Sequence, residues 1–404
     1  MIQEATMTGL DPRAMRRVNA ESVLRALYRE RSLPLATLSQ AIGVSRRTVE
    51  LILTDLEKDG WIRTRPPQLH ENGRGRPRRH FEFRDGAGAV LGVEIAHDRS
   101  TAVVADLRGR PLASIERAAV GEPDRAGRLA LTRDTITAAL TAAGLTPEQI
   151  GAVAIATPGN VDDNGVVSLE LSMRGWTGVS LAAEFAADFD CPLHVENNAK
   201  LAVLAELWEG ATPGADHVLW LMLEGQYNGM SIVVDGVPYR GVDGAAGEIF
   251  WAKVLGLDEL ASSSLIGLGR LQPAARRAEG MQLVRRARAG DPESLAEVQR
   301  FAAILARGLS TLGWILAPRF IVLGGSLSAE LGSLLADRVN ALVRRDGPPF
   351  VEVRLSELDN AAVTRGAIRA ALDRFPWTAI RPIPHPASTE PALSARDRTP
   401  LGGA

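Results

Sequence analysis

Val195-Glu196-Asn197-Asn198-Ala199-Lys200, VENNAK, joins an apolar run that reads as a strand to the Ala/Leu-rich LAVLAELWEG that reads as a helix. The junction puts Glu196, Asn197 and Asn198 at a strand tip, and open α/β folds bind ligands at such tips. Residue type then limits the chemistry. A carboxamide can hydrogen-bond a hydroxyl but does not take its proton at neutral pH, so a reaction needing a base at Asn197 or Asn198 would lack one. VENNAK therefore indicates an α/β domain whose polar pocket is either an unusual active site or an active-site shape kept for another purpose.

Working outward, the α/β pattern extends from about Ala89 to Phe375. AVLGVEI and STAVVADLRG read as two strands around AHDR, and HVLWLML and MSIVVDG as two more around EGQYNG. The similarity of the two pairs predicts an internally duplicated, two-lobed fold. Between them lie a long helix (RLALTRDTITAALTAAG), a strand running into a turn (GAVAIATPGNVDDNG) and VENNAK. Helices near 283–315, the strands RFIVLGGS and VEVRLSEL, and a closing helix AVTRGAIRAALDRF follow. Residues 377–404 carry several prolines and little to bury, and read as a disordered tail.

Upstream the pattern is helical. Val18, Val23, Leu24 and Leu27 follow helical spacing, and a second short helix, LATLSQA, is stopped by Gly43. Ser45 reads as the N-cap of a third helix with the apolar stripe Val49, Ile52, Leu53 and Leu56, ended by Gly60. This is a helix-turn-helix. Trp61-Ile62 and the FEF at 81–83 read as two strands around an Arg-rich, Pro/Gly-broken loop, which makes a wing. Charge follows the same division: fifteen Lys/Arg stand against seven Asp/Glu from Pro12 to His80, while the rest of the chain is acidic enough to bring the net charge to −2. A basic head on an acidic body suits a polyanion partner.

A chain of 404 residues exceeds one ordinary core. Cys191 is its only cysteine, which excludes an intrachain disulfide and a multi-cysteine zinc site and fits a reducing cytoplasm. No stretch reads as a signal peptide or membrane span. The expectation is a soluble cytoplasmic protein.

The landmarks TPGNVD, RGWTGVSL, VENNAK, GVDGAAGEI (241–249) and IVLGGS (321–326), after a helix-turn-helix and the GRGRP of 73–77, resemble the ROK family in content and order. That family groups bacterial sugar kinases with transcriptional repressors sharing their fold. The resemblance implies an N-terminal winged helix-turn-helix (12–84) followed by a two-lobed, actin-like sugar-kinase-type domain (88–375). Lobe 1 would cover about 88–195 plus the C-terminal helix, and lobe 2 about 196–360.

The chain departs from the kinase pattern at three places. Where the kinases carry Asp-x-Gly-Gly-Thr, it has Glu94-Ile95-Ala96-His97-Asp98, which sets side chains where phosphate meets bare backbone. The second phosphate loop reads Gly225-Gln226-Tyr227-Asn228-Gly229-Met230-Ser231, with two bulky side chains in the nucleotide's space. The position of the catalytic Asp is Asn198. No catalytic residue is therefore expected. The family's zinc motif is also missing: Glu248-Ile249-Phe250-Trp251 is followed by no cysteine, so neither metal nor cofactor is expected. Of the sugar-facing set, Asn197 and Glu248 persist, Asn198 is altered, and Trp251 replaces a histidine.

Ser45, Arg46, Arg47, Thr48 and Glu50 read as a recognition helix in the major groove, against a solvated helix face. Arg74, Arg76, Arg78 and Arg79 could track phosphate or enter a minor groove, against a charged linker. Asn197, Asn198, Glu248 and Trp251 form the candidate effector site, against a relic cleft. His97, His194 and His217 read as surface or strand-end residues, and Trp220 as core. The expectation is a DNA-binding regulator, a repressor by its resemblance, that binds a palindromic operator as a homodimer or higher homo-oligomer and senses a sugar or sugar derivative. Its rivals are an effector-independent regulator and an active carbohydrate kinase.

Overall fold

The computed structural model describes residues 11–65, 79–225, 227–270, 272–377 and 382–383. The chain forms two compact units, one of residues 1–88 and 377–404, the other of residues 89–376.

In the first unit, α1 (Pro12–Glu30), β1 (Ser32–Pro34), α2 (Leu35–Ile42) and α3 (Arg46–Asp59) precede β2 (Ile62–Arg65) and β3 (His80–Phe83). The strands form an antiparallel sheet in the order β1-β3-β2. Gly43 ends α2 in the left-handed region, and the Ser45 side chain accepts the Thr48 N–H at 3.1 Å, so two caps set the turn between the helices. Val23, Leu24, Leu27, Val49, Ile52 and Leu53 are buried together. Val18, expected on the same stripe, is 53% exposed because α1 starts a full turn before the packed face.

The second unit opens with an antiparallel meander, β4 (Ala89–Ile95), β5 (Arg99–Asp106) and β6 (Pro111–Ala118). After α4 (Arg125–Ala143) comes β7 (Ile150–Thr157), then the hairpin β8 (Asn160–Val161) and β9 (Val167–Leu169), α5 (Leu181–Phe185) and β10 (Leu193–Asn197). α6 (Asn198–Glu209) leads to a second meander, β11 (Val218–Met222), β12 (Gly229–Val234) and β13 (Val237–Tyr239). A run of 3-10 turns over 242–268 follows, then α7 (Ala274–Arg288), α8 (Pro292–Leu316), β14 (Phe320–Gly324), α9 (Ser326–Leu331), α10 (Ser333–Asp346), β15 (Glu352–Leu355) and α11 (Ala362–Asp373).

The two five-stranded sheets, β10-β7-β4-β5-β6 and β15-β14-β11-β12-β13, have one topology: a three-stranded meander whose first strand takes two further parallel strands on its other side. The predicted duplication is present. Strands β4, β7 and β11 are buried along their whole length, as their unbroken apolar runs require. Trp220 lies in the second core at 1% exposure. α6 packs on α11 and β4's sheet on one side and against β12 and β13 on the other, so the VENNAK junction stands where the two lobes meet.

The tail needs a correction at its first residue. Trp377 is 6% exposed, with its ring edge-on to Tyr28 at 4.9 Å and to Phe83 at 5.6 Å, and the Ile383 N–H donates to Ala87 O. An indole at that position completes the core of the first unit.

Candidate functional site

On the head, Ser45 and Thr48 engage each other through their hydroxyls at 2.8 Å as part of the cap, while Arg46, Arg47 and Glu50 point outward from the first two turns of α3. Arg47 and Glu50 approach to 3.8 Å but are 79% and 59% exposed, so the pair is weak. Arg46 has no partner among the described residues. Arg79 is exposed before β3, whereas Arg74, Arg76 and Arg78 lie outside the described residues. Arg63 and Arg65 were missed: both reach across the wing to Glu82, at 2.8 and 2.6 Å, and remain about half exposed. Their signal was available, because alternate positions in IRTR share one face of a strand.

In the body, a cavity of about 390 Å³ opens between the lobes, lined by Asn197, Asn198, Glu248, His97, Glu170 and Tyr227. Met222, Met230 and Phe250 add apolar wall. The side chain of Trp251, expected there, lies outside those described. Asn197 caps α6: its oxygen accepts from the Ala199 and Lys200 N–H groups, and its amide donates to Gly159 O at 2.9 Å. Glu196 is held by Arg240 at 2.7 Å. Glu248, which keeps an exposed surface, has no hydrogen-bonding partner among the described residues, and partial desolvation pushes its carboxyl above the ordinary value against the pull of Lys200.

Glu248 is placed by the glycines before it. Gly244 and Gly247 have φ of 74° and 99°, and a Cβ on them would stand 2.3 Å from Val161 O and 2.2 Å from Met230 O. Only glycine lets this segment lie against both lobes. Lys200, also missed, is 1% exposed and donates to Gly244 O at 2.8 Å, which ties α6 to the same segment. Burial lowers its pKa. A cation in the first turn of a helix opposes the helix dipole, and that mismatch was its signal.

The two altered loops meet. His97, expected as a surface or strand-end residue, lies instead in the cleft, its ring stacked on Tyr227 at 4.0 Å and 20°, with Nε2 2.6 Å from Ser172 Oγ. Burial is the main cause that lowers the His97 pKa to about 4. Arg128 donates to the carbonyls of Ala96 and His97 and fixes the loop from beneath. Beside it Arg99 pairs with Glu94 and Asp98, each at 3.0 Å. A second cavity, edged by Glu94, Arg99, Asn198, Tyr227 and Arg270, is about 60 Å³. Small-molecule sites usually hold roughly 300–1,000 Å³, so the cavity on the Asn197 side is of ligand size and this one is not.

The ROK family model matches residues 90–251 and 257–374. The chain belongs to the ROK family. It is similar to the xylose repressor of Bacillus subtilis, 22% identical over 90% of this chain and 97% of that protein. The xylose repressor of Caldicellulosiruptor bescii is 24% identical over 255 residues, and the match spans 63% of each chain. The glucokinase of Thermotoga maritima is 28% identical over 56% of this chain and 81% of its own. Among solved structures, a ROK family transcriptional regulator, a homologue of the E. coli MLC protein, superposes with a TM-score of 0.66 at 19% identity, over 89% of this chain and 96% of that one. A ROK glucokinase from Streptomyces griseus, in complex with glucose and AMPPNP, gives a TM-score of 0.56 at 26% identity, over 71% and 100%.

Within the ROK frame, both phosphate-loop positions carry the chain's own interacting side chains, the Glu94–Arg99 ion pair on one loop and the His97–Tyr227 stack between the two. Gln226, expected to block the same space, lies outside the described residues.

Proposed function

We propose that this ROK protein is a sequence-specific DNA-binding transcriptional regulator of the repressor type, whose kinase-like body has given up phosphoryl transfer and serves to sense a small molecule and to dimerise. The observation that carries the proposal is the capped α3 with Arg46 and Arg47 outward, on a head with a wing of further arginines. A helix N-terminus so armed fits the major groove, and the wing reaches adjacent phosphates. The similarity to proteins named xylose repressor supports the same function. The effector would be a sugar or sugar derivative in the 390 Å³ cavity. Closing or opening the lobes would re-space two heads on a palindromic operator, provided the ligand binds one spacing better than the other.

Footprinting and salt titration test this. Affinity for the operator should fall steeply as salt rises, and Arg46→Ala with Arg47→Ala should abolish the footprint, each lost bidentate base contact costing roughly 1–3 kcal/mol. An unchanged footprint would remove the recognition-helix assignment. The body alone, from Ala89, should sediment as a dimer at micromolar concentration; a monomer would count against its role in assembly.

One observation favours the effector-independent rival: the Asn197 amide oxygen and one of its N–H groups are already engaged by Ala199, Lys200 and Gly159. Calorimetry with sugars on the wild type and Glu248→Ala separates the two, since a sensor loses its ligand with Glu248 and a relic cleft has none to lose.

A further inference from the structure

The charges that line the 390 Å³ cavity are unbalanced. Glu170 and Glu248 both face it, and among the described residues no lysine or arginine lines it. Four cations behind its walls are engaged elsewhere: Lys200 by Gly244 O, Arg240 by Glu196 and the Val161 and Asp162 carbonyls, Arg128 by the Ala96 and His97 carbonyls, and Arg99 by Glu94 and Asp98, while Arg174 is exposed and lines the adjoining cavity. His97, the remaining basic group on the lining, is neutral near pH 7 because burial holds its pKa at about 4. Glu170 uses one oxygen, Oε1, to accept the N–H groups of Ser172 and Met173, at 2.5 and 3.0 Å, and its Oε2 has no hydrogen-bond partner among the described residues. Glu248 has none for either oxygen. The two carboxylates also sense each other, since Glu170 adds to the effect of partial desolvation in raising the Glu248 pKa.

Resting on the sensor function proposed above, we infer that the cavity takes an aminodeoxy sugar with a free ammonium group, seated against Glu248 and Glu170, and rejects sugar phosphates. A phosphate in a protein site is normally met by arginine, lysine or a run of free backbone N–H groups. Inside this cavity a phosphate would meet two carboxylates and, among the described lining residues, no lysine or arginine. An ammonium supplies the missing counter-charge and three N–H donors, for which the free carboxylate oxygens are acceptors. Asn198 is placed for a ring hydroxyl, and Phe250 and Met230 for an apolar ring face, while the Ser172 hydroxyl is engaged by His97 and Glu170.

The test is calorimetry on the full chain with matched triplets, hexose, 2-amino-2-deoxyhexose and hexose 6-phosphate, in the gluco, galacto and manno series. In the series that binds, the amino sugar should bind at least about tenfold more tightly than the hexose, and the phosphate not measurably. Glu248→Gln should bring the amino-to-hexose ratio to near one. Glu248→Lys should abolish amino-sugar binding and give measurable binding of the 6-phosphate, a gain that a misfolded variant could not produce. Equal or tighter binding of the 6-phosphate by the wild type, or an amino-to-hexose ratio unchanged in both variants, overturns the inference and leaves the sensor function standing. Binding of none of the triplets overturns both.

Discussion

Asn197 and Asn198 are neighbours in sequence, yet their amides act on different surroundings. Asn197 caps α6 and holds the Gly159 turn, so Asn197→Ala should lower stability to urea by about 0.5–2 kcal/mol, the usual cost of a lost cap. Asn198 opens onto the cavity. Asn198→Asp restores a carboxylate at the base position, but with the His97–Tyr227 stack and the Glu94–Arg99 pair intact the variant should show no ATP-dependent sugar phosphorylation in a coupled assay. Turnover by that variant would mean that the phosphate route is open. Sequence located the pocket through Asn197, Asn198 and Glu248, but not the state of each side chain. A cap and a ligand contact ask for the same residue types, so the sequence does not announce that Asn197 also caps α6. His97 was misplaced for another reason, since its stacking partner is 130 residues away and nothing local announces it.

Elements with strong internal pattern were legible, and those defined by their neighbours were not. The buried strands β4, β7 and β11 stand out as apolar runs, whereas β6 is an edge strand whose residues PLASIERA are mostly exposed, and β13 has only three residues. Both take their strand character from pairing with β5 and β12. The segment 241–249 was legible as a close-packed turn because glycine spacing is a backbone signal. Gly247→Ala should cost about 1–3 kcal/mol of stability, and should weaken whatever ligand needs Glu248, measured together by denaturation and calorimetry. In the wing, hydrogen bonds from Arg65 and then Arg63, against the opposing effect of burial, lower the Glu82 pKa from 4.5 to about 2. The folded value is depressed, so Glu82 stabilises the wing above about pH 4.5 and loses that contribution as pH falls toward 2. The difference in thermal midpoint between wild type and Glu82→Gln should therefore be largest above pH 4.5 and close below it. A gap that widens in acid would contradict the pairing.

At the scale of the whole molecule, the two sheets share one strand order, the lobes meet at α6, and the head draws its last aromatic ring from beyond the body. Trp377→Ala should destabilise the first unit by about 3–5 kcal/mol, seen as early unfolding of the head and weaker operator binding, although the substitution is more than 300 residues from α3. Intact head stability in that variant would show that the ring adds nothing to its core. The position of Trp377 also orders events in time. Domains usually fold from the N-terminus as they leave the ribosome, at roughly 5–20 residues per second, but Trp377, which packs into the core of this head, is made after the entire body. Between Gly88 and Trp377 that is a delay of about a quarter of a minute to a minute. A nascent or prematurely terminated chain thus carries α3 on a core that lacks its last ring, and the full stability of the head arrives only with a chain that also carries the complete body.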